Sequence, residues 1–327
     1  MMRRLLTAIA AGALYYTGVL WILRRLAARQ GEALIVTYHA VDADLSGASP
    51  AEVEAGLVVT QNTLRRQLRH LARRYRIIAL EELAQALAAG DRALGGLCAI
   101  TFDDALAGLP EHALPVLTEL SIPATVFVPS ECAGGSQDLP ALRLRRAIWA
   151  GAGSPQAAER HKRLGRDRLI AVAAAIERGL LPAQRQALLG LTPRRVLGGD
   201  ELRHLAAAGM TVGSHGTLHD PIPQLPPDAQ RAEVLGSKTM LERMTGCAVT
   251  CFCYPHGAAD DATAALAKEA GYLCACTTRQ GAVRAGDNPH LLPRIAADEG
   301  SSRGLAWAFS PSRFEAALRM RAHRGKR

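Results

Sequence analysis

The sequence predicts an α/β fold: a barrel of about seven parallel strands with a helical insertion, preceded by an N-terminal membrane helix. Three observations predict it. Seven short apolar runs lie along the chain, most of them near-continuous rather than alternating, as in parallel strands buried on both faces. Helical patterns separate the runs, and strand–helix alternation builds a parallel sheet. The chain has 327 residues, 49% hydrophobic and 21% charged, enough for one large barrel core and too apolar for disorder.

The elements follow in chain order. Leu5 to Leu23 carry no charge, a length that just spans a bilayer as a helix. Arg3 and Arg4 precede this stretch, and Arg24, Arg25 and Arg29 follow it, so it reads as retained rather than cleaved. Tyr15, Tyr16 and Trp21 suit an interface. Residues 1–30 are therefore expected to form a membrane-associated helix contacting lipid, in a bacterial inner membrane, with the side of the barrel left open. A helix lying in the membrane surface and a buried helix of the soluble domain are the alternatives.

The barrel is expected over residues 31–310. Ala33–Tyr38 is its first strand, and Thr60–Arg74, with Leu64, Leu68 and Leu71 on one face, and Glu81–Ala89 are helical. Strands Leu97–Phe102 and Ala124–Val128 flank a periodic segment, Pro110–Leu120. Residues 134–199 break the rhythm. They are helical and Arg-rich, and read as an insertion that walls or caps a site, with Trp149 facing a ligand or, more plainly, packing in the insertion core. Asp200 is a plausible N-cap for Glu201–Ala208, which Gly209 closes. Strand Met210–Gly213, helix Pro227–Thr245 ending at Gly246, and strand Val249–Tyr254 follow. Helix Asp260–Ala270 ends at Gly271, and strands Leu273–Thr277 and Leu291–Ile295 complete the set. Residues 311–327 read as a basic tail, solvated or touching lipid.

Composition bounds the function. A net charge of +9 suits anionic partners. No zinc-finger, homeodomain or RNA-recognition pattern is present, so nucleic acid is not the expected partner. Aromatic residues are only 4%, against a surface built to stack many sugars or bases. Cys251/Cys253 and Cys274/Cys276 each share one strand face at i,i+2 and read as small core residues. The chain is too long for a disulfide framework to be expected.

The polar residues gather at strand ends. His39 follows the first strand, Asp103 and Asp104 the second, and His215 and His219 the fourth; Tyr254-Pro255-His256-Gly257 closes the fifth, and Arg294 lies in the seventh. In an α/β barrel that rim carries the active site. Alone, a His-x3-His pair is more often structural than ligating, and Asp-Asp more often a turn or cap. Together on one rim they suggest two imidazoles and a carboxylate around a cation, with open positions for water and substrate. Neighbouring Asp residues at a strand end point different ways, so one can bind metal while the other acts as a base.

Thr101-Phe102-Asp103-Asp104, the stretch from Ser214 to Pro221 and Phe252-Cys253-Tyr254-Pro255-His256-Gly257 resemble the motifs of polysaccharide deacetylases, the NodB-homology, carbohydrate esterase family 4 enzymes. Tyr38-His39-Ala40-Val41 and Leu292-Pro293-Arg294-Ile295 look like the subgroup that opens with Tyr-His-x-Val. The resemblance covers roughly residues 33 to 300, and it implies a distorted (β/α) barrel, a divalent metal, usually zinc, and hydrolytic N-deacetylation of acetylated amino sugars. By the same resemblance Asp103 is the general base, and Asp104, His215 and His219 are the metal ligands. His256 supplies a backbone N–H to the oxyanion, His39 is the general acid, and Arg294 orients Asp103. The chain departs from the family pattern at Ala105, where Gly commonly follows the Asp pair, and at Gly216, which replaces Ser or Thr. Cys253 stands where many members have a catalytic Arg, and His256 where they have an aromatic; the Asp-x-x-Asp-Trp motif that partners that Arg is absent. Peptidoglycan, chitin-like oligomers, exopolysaccharide and lipid-linked glycans all fit as substrates. A catalytically weak membrane-anchored carbohydrate-binding barrel, and a scaffold at a phospholipid surface, are the alternatives.

Overall fold

A computed structural model describes residues 2–90, 94–135, 138–154, 157, 160, 164–304 and 308–323; of residues 2–8 only the backbone is described. The strands are β1 (Leu34–Tyr38), β2 (Ala40–Asp42), β3 (Val58–Thr60), β4 (Arg76–Ile77) and β5 (Leu97–Phe102), then β6 (Thr125–Val128), β7 (Thr211–Ser214), β8 (Cys251–Cys253), β9 (Cys274–Gln280) and β10 (Leu292–Ala296). Seven close a ring in the order β1, β10, β9, β8, β7, β6, β5 and back to β1, all parallel. These are the seven strands expected from the sequence. Three short strands were not expected: β4 extends the edge of β5, and β2 pairs with β3 outside the ring.

Strand alternation sorts the side chains. Leu34, Val36 and Tyr38 of β1 and Cys98, Ile100 and Phe102 of β5 share one large cluster with leucines of the surrounding helices, including Leu64, Leu68 and Leu71. The other parity, with Ile35, Ala99, Phe127, Cys251, Cys253, Cys274, Cys276 and Leu292, forms a second cluster. Cys251, Cys253, Cys274 and Cys276 are small buried core residues as expected, and all seven thiols of the chain are free.

The N-terminal expectation needs correction. The apolar stretch is not one spanning helix but two, Met2–Tyr16 and Val19–Arg29, and no helix among the described residues is long and apolar enough to cross a membrane. Gly18 takes φ +81°, left-handed backbone that ends one helix before the next begins. The first helix packs on the C-terminal helix Pro311–His323, which buries Phe314, Leu318 and Ala322 in the main core. The tail is thus a packed helix through His323, and residues 324–327 lie outside the described residues.

Asp200 does not cap its helix. The helix Gly199–Ala207 starts after Gly198, whose N–H donates to Glu201 Oε2 at 2.9 Å. Glu201 also takes both terminal nitrogens of Arg195 at 2.7 Å, which holds it over the helix start.

The insertion folds as helices Pro140–Ala150, Arg166–Arg178 and Pro182–Leu189, with several residues of the 134–199 stretch outside the described set. Glu52 ties it to the barrel. Its carboxylate accepts from Arg146 Nε and Nη2 at 3.1 and 3.0 Å, from Arg194 Nε at 3.1 Å, and from the N–H and hydroxyl of Ser49, both at 2.8 Å. Arg194 also clasps Asp42 at 2.6 and 2.7 Å. Burial raises the Glu52 carboxyl, but Arg146, Ser49 and Arg194 outweigh it and hold it below its ordinary value. The network's contribution is therefore complete above the unfolded value near 4.3 and is lost as pH falls through the depressed folded value. Glu52→Gln is expected to lower stability by about 2 kcal/mol at pH 7 and to shrink that acid-side loss. Thermal unfolding of both proteins between pH 3 and pH 7 measures this; identical pH dependence would refute it.

Candidate metal centre and active site

The strand parity that buries Ile35 and Ala99 carries Thr37, Thr101 and Asp103 to the same side as Arg294 of β10. Arg294 is 1% exposed. Its guanidinium makes a two-pronged pair with Asp103, Nη1–Oδ1 and Nη2–Oδ2 both 2.7 Å. It also donates to the Thr37 and Thr101 hydroxyls at 3.1 and 3.2 Å, to the Thr277 carbonyl at 2.9 Å and to Cys253 Sγ at 3.1 Å. These partners come from β1, β5, β9 and β8, so the guanidinium reaches across the inside of the ring. Burial raises the Asp103 carboxyl; Arg294 overcomes this and holds it below its ordinary range. Asp103 is thus a buried, fixed carboxylate. His39 stands just beyond β1, with Nε2 3.9 Å from Asp103 Oδ2.

Asp104 turns away from its neighbour. Its φ is +68° and that of Ala105 is +48°, and His219 and His256 are also left-handed, at +64° and +58°. Among the described residues these are four of only six non-glycine residues with positive φ. Such backbone costs about 1–3 kcal/mol per residue and collects at working sites. The value at Ala105 gives a physical reason why glycine suits that position in the family.

Asp104 Oδ1 lies 3.2 Å from His219 Nε2 and 3.5 Å from His215 Nε2. His215 Nδ1 is 2.7 Å from the Cys253 carbonyl oxygen. Nδ1 therefore carries the hydrogen, and the Nε2 lone pair faces Asp104. Burial, then His219, pushes the His215 imidazole down to about 4. Burial would lower His219 as well, but the Asp104 charge raises it. Asp104, His215 and His219 would hold a cation here in place of the His219 proton.

Two donor sets have their ligand atoms within 4.8 Å of one another: Asp104, His215 and His219, and Asp103, His215 and Cys253. The second contains the Arg294 guanidinium, bonded to both Asp103 oxygens and to Cys253 Sγ. Burial, despite Arg294, pushes the Cys253 thiol well above its ordinary value. A protonated thiol and a resident cation make a poor metal site. The first set holds two imidazoles and one carboxylate, with no arginine or lysine bonded to them among the described residues, and its donors fit a divalent ion with open positions.

Glu233, which sequence reasoning missed, sets the His215–His219 loop. It accepts from the N–H groups of Thr217 and Leu218 at 2.7 and 3.2 Å and from the Thr217 hydroxyl. Gly216 has φ +75°, and a Cβ there would collide with Glu233 Oε2, so a side chain is excluded twice over. The only sequence signal for Glu233 is an acid on the buried face of helix Pro227–Thr245.

These groups open on a cavity of about 240 Å3. His39, Asp103, Asp104, His215, His219 and His256 line its floor, and Leu142, Leu144, Arg145 and Leu169 of the insertion form a wall. The insertion does wall the site, but Trp149 is not among the lining residues.

Comparison with known proteins bears on the family and the fold. The profile of the family described as polysaccharide deacetylase matches residues 92–275, more than half of the chain. YxkH of Bacillus subtilis (strain 168), named for the same family, is 26% identical over 113 residues, 35% of this chain. That match spans only 40% of YxkH. The Streptococcus pyogenes deacetylase PplD, solved with acetate, superposes with a TM-score of 0.61 at 20% identity, covering 88% of this chain and 98% of PplD. IcaB from Ammonifex degensii gives 0.60 at 18% identity, covering 88% and 97%. At these identities the two structures show a shared fold. The family match rests on the segment that carries Asp103, Asp104, His215, His219 and the Tyr-Pro-His-Gly turn, and the chain belongs to the polysaccharide deacetylase family.

Proposed function

We propose that this protein is a metal-dependent N-deacetylase acting on an acetylated amino sugar of a glycan. One observation carries the reading: a two-histidine, one-carboxylate donor set lies beside a second carboxylate, Asp103, that Arg294 keeps ionised. Asp104, His215 and His219 would hold the cation, which supplies Lewis acidity toward the acetamide carbonyl and toward water.

The chain's own residues divide the remaining work. Asp103 accepts the proton of the attacking water at its carboxylate. The backbone N–H of His256, in the strained turn after β8, donates to the oxyanion as it develops. His39, in protonated form, donates to the departing amine, which without a proton is a very poor leaving group. Arg294 touches no substrate in this scheme; it positions Asp103. The Tyr-His-x-Val subgroup fits this division, since Arg294 supplies the cation that Cys253 cannot.

The test is direct. Purified protein is expected to carry about one zinc-class ion per chain by elemental analysis. It is expected to release acetate from N-acetylated amino-sugar oligomers, and a chelator should stop this until metal is restored. His215→Ala is expected to lose the ion and the activity together. Glycan binding without acetate release from metal-loaded protein would favour the carbohydrate-binding alternative, which the missing motif Arg motivates.

A further inference from the structure

A second cavity, of about 450 Å3, shares no lining residue with the first. It lies where the N-terminal helices meet the barrel. Tyr15, Trp21 and Arg24 come from the N-terminal pair, Arg73 and Arg74 from the end of helix Gln61–Ala72, and Glu315 from the C-terminal helix. Arg74 is engaged: it donates to the Tyr15 hydroxyl at 2.6 Å and lies 3.5 Å from Glu315. Glu315 is in turn bound to His70 at 2.7 Å. Among the described residues the side chains of Arg24 and Arg73 make no hydrogen bond or ion pair. The cavity therefore brings three guanidinium groups to one carboxylate, whose Oε2 is engaged by His70 and Arg74 and whose Oε1 has no hydrogen-bond partner, so positive charge exceeds negative by two even with Glu315 ionised. Guanidinium forks match phosphate oxygens, and an anion between them relieves their repulsion.

The surroundings say what carries the phosphate. Leu14 and Tyr16 are 42% and 84% exposed, and Trp21, Ile22, Leu23 and Leu26 are 49%, 49%, 39% and 46% exposed. Arg25 stacks over the Trp21 ring at 4.5 Å. Exposed apolar side chains with an aromatic and arginines among them mark a helix that lies in a lipid interface. The helix Val19–Arg29 has 11 residues, about 16 Å of rise, too short to span a bilayer and suited to lying along one. A soluble phosphate would need the arginines but not this apolar rim.

We propose that this cavity binds the phosphate of an anionic phospholipid, with the apolar residues of helix Val19–Arg29 seated among the acyl chains. The protein then rests on a membrane surface through a built headgroup site, which spanning does not require. The site is independent of the deacetylase reading.

Flotation of the full chain with vesicles tests it. Vesicles of phosphatidylcholine mixed with phosphatidylglycerol are expected to bind the protein and blue-shift its tryptophan emission, and pure phosphatidylcholine is expected to bind far less. Arg24→Gln/Arg73→Gln is expected to weaken binding to the anionic vesicles about tenfold or more, with thermal unfolding and deacetylation of a soluble oligosaccharide unchanged. Arg66→Gln/Arg243→Gln removes equal charge from exposed positions elsewhere and is expected to leave vesicle binding intact. Equal binding to neutral vesicles, or equal loss in both double variants, would overturn the proposal. So would an Arg24- and Arg73-dependent thermal shift with inorganic phosphate in a protein that ignores vesicles, which would assign the cavity to a soluble anion.

Discussion

Asp103→Asn is expected to lower kcat/KM for acetate release about a thousandfold while the protein keeps its metal. Asp103 has no part in the proposed metal set, because a resident cation, the Arg294 guanidinium, is bonded to both of its oxygens. In the proposed scheme its carboxylate, buried and kept ionised by the guanidinium, accepts a proton, since each oxygen keeps a lone pair beyond its Arg294 hydrogen bond. An amide has the same shape but cannot take that proton at neutral pH. Asn also turns an NH2 toward an Arg294 nitrogen, an unmatched pair of donors that costs about 1–3 kcal/mol. Rates are therefore compared well below the unfolding temperature of each protein, with metal content measured on the same samples. An Asn variant with wild-type rates would end the assignment of Asp103 as base, whatever its stability.

Arg294→Met is expected to destabilise the protein by about 3–5 kcal/mol, because it leaves a carboxylate buried and unpaired inside the barrel. Burial alone pushes the Asp103 carboxyl upward, so without the guanidinium Asp103 is expected to be neutral more of the time. Activity should fall for that second reason even in protein that remains folded. The double variant Asp103→Asn/Arg294→Met removes both charges and is expected to lose less stability than the two single losses combined. Denaturant unfolding of the four proteins measures the coupling. Strictly additive losses would show that the pair does not act as a unit, and Arg294 would lose its positioning role.

Some of this was readable without coordinates for a definite reason. Near-continuous apolar runs mark strands buried on both faces, and the ring contains all seven that were expected. Alternation along a strand fixes parity, so Asp103 at the end of one strand and Arg294 within another were already assigned to the rim. The i,i+2 cysteines follow the same rule and lie in the core as read. Legibility failed where a contact joins distant segments by a single residue. Nothing in the spacing of Glu233 announces that it holds three groups of the histidine loop, and nothing near Glu52 announces Arg146 and Arg194. The N-terminal stretch failed differently. An uncharged run satisfies a hydropathy count, but one glycine in left-handed backbone divides it into two short helices.

The sequence by itself determined the class of fold, the order of the strands along the chain and which residue types stand at their ends. These are local properties, set by periodicity and by the direction in which each residue points. The resemblance already grouped Asp104 with the two histidines, and the insertion already read as a wall; only the tertiary structure supplied the distances within that group, the Glu233 and Glu52 anchors, and the meeting of Arg24 and Arg73 across a second cavity. Those outcomes depend on the closure of the ring and on backbone turns of positive φ, which re-aim a side chain without leaving a periodic trace in the sequence.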